Sequence, residues 1–219
     1  MKILIIFLLS ALFAVFTCPL SAQMEPISID LPQPMFVGTP TNFKVERLEE
    51  PRESGRPPFL APAGIANVAL GKPVTGSSEP RMGDLSQITN GYKEATSNSF
   101  VEMNPGAQHI TIDLEDYYTI YAVTLWHYHM SARVYLGVVV QVSDDPDFIF
   151  DVHTIFNNDL NNSLGFGMGE DYQYVETHEG KLIDAMGIEG RYVRLYSMGN
   201  TDNDFNHYIE VEVYGKPAE

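Results

Sequence analysis

The chain has 219 residues, 29 acidic against 13 basic side chains, a formal net charge of −16 and a single cysteine. So acidic a balance excludes a non-specific nucleic-acid binder, which needs a basic face to displace counterions. A content of 44% apolar and 11% aromatic residues excludes disorder throughout, and one cysteine cannot close an internal disulfide.

Residues 1–22 read as a secretory signal. Lys2 supplies the charged start, Ile3 to Phe16 the apolar run, and Ser21 and Ala22 the small residues near a cleavage point. Cys18 and Pro19 end that run short of the roughly 20 residues a spanning helix needs. Cleavage would release Cys18 with the signal and leave the mature protein secreted, periplasmic or in the cell envelope. Residues 23–63 hold eight of the fourteen prolines. Proline removes ladder donors and fixes φ, so this stretch is expected to be extended or irregular. It is either a proline-rich linker or a docking tail that joins a larger exported assembly.

From about Gly64 the pattern changes. Short β-type runs recur: His109 to Leu114, Ile120 to Trp126, Gly137 to Val142, Val152 to Phe156, Tyr192 to Tyr196 and Tyr208 to Tyr214. Turn-forming groups such as Asp144-Asp145-Pro146-Asp147 and Gly199-Asn200 separate them. Ile110, Ile112 and Leu114 alternate onto one face, as do Val193 and Leu195. This period of two predicts half-buried antiparallel strands, and no stretch carries a helical stripe with caps. The expected architecture is all-β, one antiparallel sandwich over residues 64–216. No G-x-S-x-G or H-E-x-x-H pattern marks a nucleophile or a zinc protease. A non-catalytic protein is the expectation, with a small metal-dependent hydrolase as the other possibility.

Seven segments, in order, match one family. They are Asn67 to Val74, Ile88 to Gly91, His109 to Leu114, Tyr118 to Val123, Val140 to Asp145, Arg191 to Leu195 and Glu210 to Gly215. Together they resemble the discoidin or coagulation factor 5/8 type C domains, and most of all the bacterial family 32 carbohydrate-binding modules. The resemblance implies a galactose-binding-like jelly-roll sandwich that binds a ligand without catalysis. It departs from the family at His109, where a Trp is usual, and at Asn90, where an Asp is usual. A long Asn- and Gly-rich insert follows Ser143.

The resemblance also implies two sites. A structural Ca²⁺, which takes six to eight hard oxygens, would sit between the loop carrying Asn90, Glu94 and Thr96 and the carboxylate of Glu210. Carbohydrate would meet rim loops carrying Trp126, His127, His129 and Arg133, joined by Asn200, Phe205, Asn206 and His207. Aromatic faces stack on sugar rings while His, Arg and Asn bind hydroxyls. Alternation sets His127 and His129 on one face and Trp126 and Tyr128 on the other, so both pairs cannot be exposed equally. Two other constellations stand beside these. His127 and His129, with His153 or His207, offer transition-metal ligands. Asp159, Asn161, Ser163 and Glu170 follow the oxygen spacing of an EF-hand loop, with Leu164 where its Gly belongs.

Residues 64–219 hold 23 of the 29 acids and 8 of the 13 bases, a balance of −15. That charge disfavours anionic membranes and sulfated glycans and favours neutral sugars and Ca²⁺. A structural subunit that uses the same sandwich to dock protein is the alternative function.

Overall fold

The computed structural model describes residues 23–38 and 40–218. The predicted signal, residues 1–22, lies outside the described residues.

Among the described residues, ten strands and one 3₁₀ turn make up the regular structure. In chain order they are β1 (Met24–Pro26), β2 (Leu60–Pro62), β3 (Ala66–Asn67), β4 (Val74–Gly76), the turn Leu85–Thr89, β5 (Val101–Met103), β6 (Gln108–His127), β7 (Val139–Ser143), β8 (His153–Asn157), β9 (Lys181–Ser197) and β10 (Asn206–Pro217). Every strand pairing is antiparallel, in the order β3-β10-β6-β9-β7-β8, with β4 on β6 and β5 on β10. The expected all-β sandwich is the observed fold.

The two layers arise because β6 and β9 are long and bend through both. The sequence pattern predicts separate strands at 109–114 and 120–126, and the structure joins them in a single β6 of 20 residues. Its register to β9 slips between Asp113 and Tyr118 and again between Ile120 and Ala122. At the first slip Glu115 takes φ 65°, and its N–H donates to Asp113 Oδ1 at 2.7 Å. Such bulges bend a strand without ending its pairing. The first half of β6 then pairs β4 and the second half of β9, while its second half pairs β10 and the first half of β9. The inward residues of both layers meet in one core. Ile110, Ile112, Val193, Leu195, Val140 and Val142 come from one layer and Val123, Leu125, Ile183, Val211 and Val213 from the other. Burying a Val, Leu or Ile side chain of this kind contributes about 1.5–3 kcal/mol.

Residues 23–63 form a further layer of the same unit. β1 pairs β2, closing the segment on itself. Ile29 packs on the cluster of Trp126, Ala95 and Ile209. Gln33 N–H donates to the Glu94 carboxylate at 3.1 Å. Leu48 bridges Gln173, Arg52 pairs with Glu179 at 2.5 Å, and the Arg56 guanidinium donates to the carbonyls of Glu179 and Gly180. The prolines do keep this stretch irregular. Yet it is not a free linker, because Ile29, Gln33, Arg52 and Arg56 are engaged by the sandwich.

That layer explains an unusual burial pattern. Thr124 and Trp126 on β6, and Glu210, Glu212 and Tyr214 on β10, point out of the sheet, opposite the core. All are nonetheless buried. Lys93 neutralises Glu212 at 2.6 Å, and the Tyr214 hydroxyl donates to the same carboxylate. The Glu212 charge is tolerable there because it is paired with Lys93.

Candidate functional site

β5, the end of β6 and the start of β10 meet at one rim of the sandwich, where the loops after β6 and before β10 converge. Asn206 opens β10 and staples that rim. Its Oδ1 accepts from Gly199 N–H at 2.7 Å, and its Nδ2 donates to the carbonyls of Asn104 and Gly106. Asn200 ties the preceding loop in the same way, its amide bonded to Asn203, Asp202 and the Phe205 carbonyl. Both side chains are buried and use their polar atoms within the loop. The two Asn expected to bind ligand instead shape the loop.

His207 is held from both sides. Its Nδ1 lies 2.9 Å from the Tyr135 hydroxyl and its Nε2 lies 3.3 Å from Glu102 Oε2. A carboxylate only accepts, so Nε2 carries the proton and Tyr135 O–H donates to Nδ1. Burial and the nearby Arg133 push the His207 imidazole down to about 4, so it stays neutral near pH 7. Phe205 lies half-buried beside it, with the Arg81 guanidinium over its ring at 4.8 Å. Arg81 also pairs with Glu102 at 3.2 Å.

Tyr128 and Phe100 complete the aromatic surface. Their rings meet edge to face at 4.9 Å, and both are partly exposed. Arg133 stacks its guanidinium on Tyr128 at 4.7 Å and pairs with Asp202 at 3.2 Å. The rim therefore presents three part-exposed rings edged by the exposed Arg81 with Glu102 and by the exposed Asp202, which neutralises the buried Arg133. Sequence reasoning missed Arg81, Glu102 and Phe100. Nothing local to those positions marks them, because it is the bridge between Met82 and Glu102 that brings Arg81 to the rim.

Three expected ligand-binding residues lie away from this surface. Trp126 is wholly buried, its Nε1–H donating to the His178 carbonyl at 2.9 Å. Gly180 lies flat against the indole and Ile29 packs alongside, so the ring is no stacking platform. His127 sits in the core, stacked on Tyr135 at 4.0 Å and 3.1 Å from Glu176. Burial favours the neutral form of each partner: it pushes the imidazole down and the carboxyl up. His129 is buried too, its Nε2 against the Lys93 carbonyl at 3.0 Å. β6 ends at His127, so alternation governs only Trp126 and His127, which do lie on opposite faces and are both covered. Among the described residues no three His, Cys, Asp or Glu side chains group to hold a metal, so the His127 and His129 metal reading is corrected. The EF-hand reading of the insert also fails. Asp159 spends one oxygen on Leu164 N–H, Glu170 is exposed, and no helix flanks the loop among the described residues.

The four residues read as calcium ligands are only partly assembled. Gly91 N–H donates to Glu210 Oε1 at 3.0 Å, which brings the loop of Asn90 against β10. Glu210 Oε2 is buried with no hydrogen-bond partner. Burial, together with the neighbouring Glu212, pushes the Glu210 carboxyl up to about 8. Asn90 is exposed, its Oδ1 accepting from Tyr92 N–H, and Thr96 is exposed on the same loop. The Glu94 carboxylate accepts from Gln33, so that side chain faces the 23–63 layer.

No family model and no curated protein matches the sequence. Solved structures do match its fold. A module produced by Clostridium perfringens, CpGH89CBM32-4 in complex with GlcNAc-alpha-1,4-galactose, superposes with a TM-score of 0.52 at 19% identity, covering 70% of this chain and 96% of that one. The fold is that of a family 32 carbohydrate-binding module. The selenomethionine-labelled form of the same module matches with a TM-score of 0.50 at 18% identity, over 68% of this chain and 98% of that one. The family 89 glycoside hydrolase of Clostridium perfringens, in complex with 2-acetamido-1,2-dideoxynojirmycin, matches with a TM-score of 0.51 at 16% identity, over 69% of this chain but only 15% of the hydrolase.

Proposed function

We propose that the chain is an exported, non-catalytic carbohydrate-binding module that holds a neutral sugar at the rim formed by β5, β6 and β10. The surface of Phe205, Phe100 and Tyr128, edged by Arg81–Glu102 and Arg133–Asp202, carries this reading. Aromatic faces match the C–H face of a pyranose, and the flanking polar groups match its hydroxyls. The two cations and two anions balance, which suits an uncharged ligand. His207, expected to bind ligand, is instead buried with both ring nitrogens spent on Tyr135 and Glu102, so it holds the rim in shape without carrying charge. The fold of sugar-binding neighbours supports the reading, and the apolar run at residues 3–16 supports export.

The test is calorimetric titration with GlcNAc-alpha-1,4-galactose, galactose and N-acetylglucosamine. Phe205→Ala, which removes one stacking face at a half-exposed position, is expected to weaken binding about tenfold, or 1.4 kcal/mol. Absence of binding by a folded protein across a wider neutral-glycan array would sink the reading.

A Ca²⁺ ion belongs to the same proposal. The buried, unpartnered Glu210 Oε2 is what a hard cation would satisfy, and the donor set fits. Glu210, the Asn90 amide oxygen, the Thr96 hydroxyl and loop carbonyls would hold the ion, with Glu94 left to the 23–63 layer. The ion would neutralise a buried carboxylate and stiffen the loop beside β10. At a hundred times its Kd, Ca²⁺ is expected to raise Tm by about 5 °C or more. Glu210→Gln is expected to lose that response. An equal rise in the variant, or none in the wild type, refutes the calcium site.

A further inference from the structure

The loop between β7 and β8 sets two large apolar side chains in solvent. Ile149 is 68% exposed and its neighbour Phe150 is 69% exposed. The loop that carries them is tightly tied. The Asp145 carboxylate accepts from the N–H groups of Asp147, Ile149 and Phe150 at 2.9–3.1 Å. The Ser143 hydroxyl donates to the Phe150 carbonyl at 2.9 Å and accepts from Asp145 N–H at 3.0 Å. The Arg194 guanidinium lies over the Phe148 ring at 4.0 Å and donates to the Pro146 carbonyl at 2.9 Å. Phe148 and Asp151 take φ 56° and 49°, which residues other than glycine rarely adopt. Backbone of this kind persists only where its surroundings enforce it, and it gathers at binding sites.

Acids surround the apolar pair. Asp144, Asp147 and Asp151 are exposed, and residues 144–152 contain no lysine or arginine. The tip also lies away from the rim. The chain enters β7 from the rim side, where Leu136 N–H donates to the Gly199 carbonyl, and the tip follows Ser143 at the other end of the strand.

We infer that this tip docks a second protein, one whose apolar cleft is bordered by lysine or arginine side chains. Ile149 and Phe150 would fill the cleft, and the three exposed aspartates would meet its basic border. Charge selects this occupant. Two copies of the chain meeting tip to tip would set aspartate against aspartate, and an anionic membrane would be repelled by the same groups. Because the loop is already fixed, binding has little left to order. The tip shares no residue with the rim, so the inference does not depend on the rim binding sugar.

The experiment uses the full chain and three short labelled peptides of equal leucine and phenylalanine content, whose polar positions are all lysine, all serine or all glutamate. Fluorescence anisotropy gives the affinities, and ¹H–¹³C spectra locate the contact at the Ile149 methyl groups. The lysine peptide is expected to move those signals and to bind about tenfold tighter than the other two. The double variant Ile149→Ser/Phe150→Ser changes only exposed positions and keeps every charge. It is expected to lose about tenfold in affinity for the lysine peptide, with Tm unchanged. Asp147→Asn is expected to weaken binding several-fold and to lessen its dependence on salt. Binding that survives the double variant would be a diffuse attraction of lysine to an acidic chain, and would overturn the inference. So would equal binding of the serine or glutamate peptide, or no binding of any. Phosphatidylcholine vesicles binding through Ile149 and Phe150, or self-association in sedimentation that the double variant removes, would assign the tip to a membrane or to a second copy instead.

Discussion

Deletion of residues 23–63 is expected to lower Tm by about 10 °C and to shift the fluorescence of the only tryptophan to the red. The layer covers the outward face of β6 and β10, where Trp126, Thr124, Glu212 and Tyr214 are buried without belonging to the main core. Ile29 is its apolar contact with Trp126. Uncovering Trp126 and Tyr214 forfeits about 3–6 kcal/mol of apolar burial at 1.5–3 kcal/mol for each large side chain. At 2–4 °C per kcal/mol for a domain of this size, that corresponds to about 10 °C. Pairs such as Arg52–Glu179 add less, because Arg52 is half-exposed and screened. Differential scanning calorimetry and emission spectra on the truncated chain decide the matter. An unchanged Tm with an unshifted emission maximum would show that the segment is a passenger.

Gly180→Ala is expected to destabilise the protein by about 2–4 kcal/mol. Gly180 takes φ 63°, a region a Cβ disfavours. A Cβ there would also lie 2.7 Å from Trp126 Cε2 and 2.8 Å from Nε1. The ring cannot swing clear, because its N–H is fixed on the His178 carbonyl and Lys93 lies over it at 5.2 Å. Urea unfolding followed by circular dichroism measures the loss. The near-ultraviolet tryptophan bands are expected to change as well, since the indole must shift. A loss below about 0.5 kcal/mol, the range of an ordinary surface change, would mean that the turn at 177–180 yields freely.

The strands were legible in the sequence because each half-buried strand repeats its apolar side every second residue. Ile110, Ile112 and Leu114 lie inward as that period requires, and so do Val193 and Leu195. The joined β6 was not legible. Glu115 and Asp116 read as a break, and only the pairing partners show that the strand bends and continues. The extension of β9 back to Lys181 was hidden for a similar reason, since Asp184, Gly187 and Gly190 interrupt its apolar pattern.

The site was legible as a neighbourhood, not as a surface. The sequence pointed to the loop after β6 and the loop before β10, and the fold does bring Arg133, Phe205 and His207 to one rim. Which face of each side chain meets solvent depended on distant chain. Trp126 is covered by residues 54 and 97 positions away, Gly180 and Ile29. No local pattern records such contacts. Arg81 and Glu102 entered the rim through a two-residue bridge that has no periodicity to detect.

The amino-acid order by itself determined the strand class, the acidic balance and the approximate position of the loops, because these follow from spacing and composition along a local stretch. Tertiary structure alone decided that residues 23–63 are part of the folded unit, that Trp126 and His127 are interior, and that Ile149 and Phe150 are exposed. Each of those outcomes is a matter of what lies across from a side chain, and burial is set by the partner as much as by the residue.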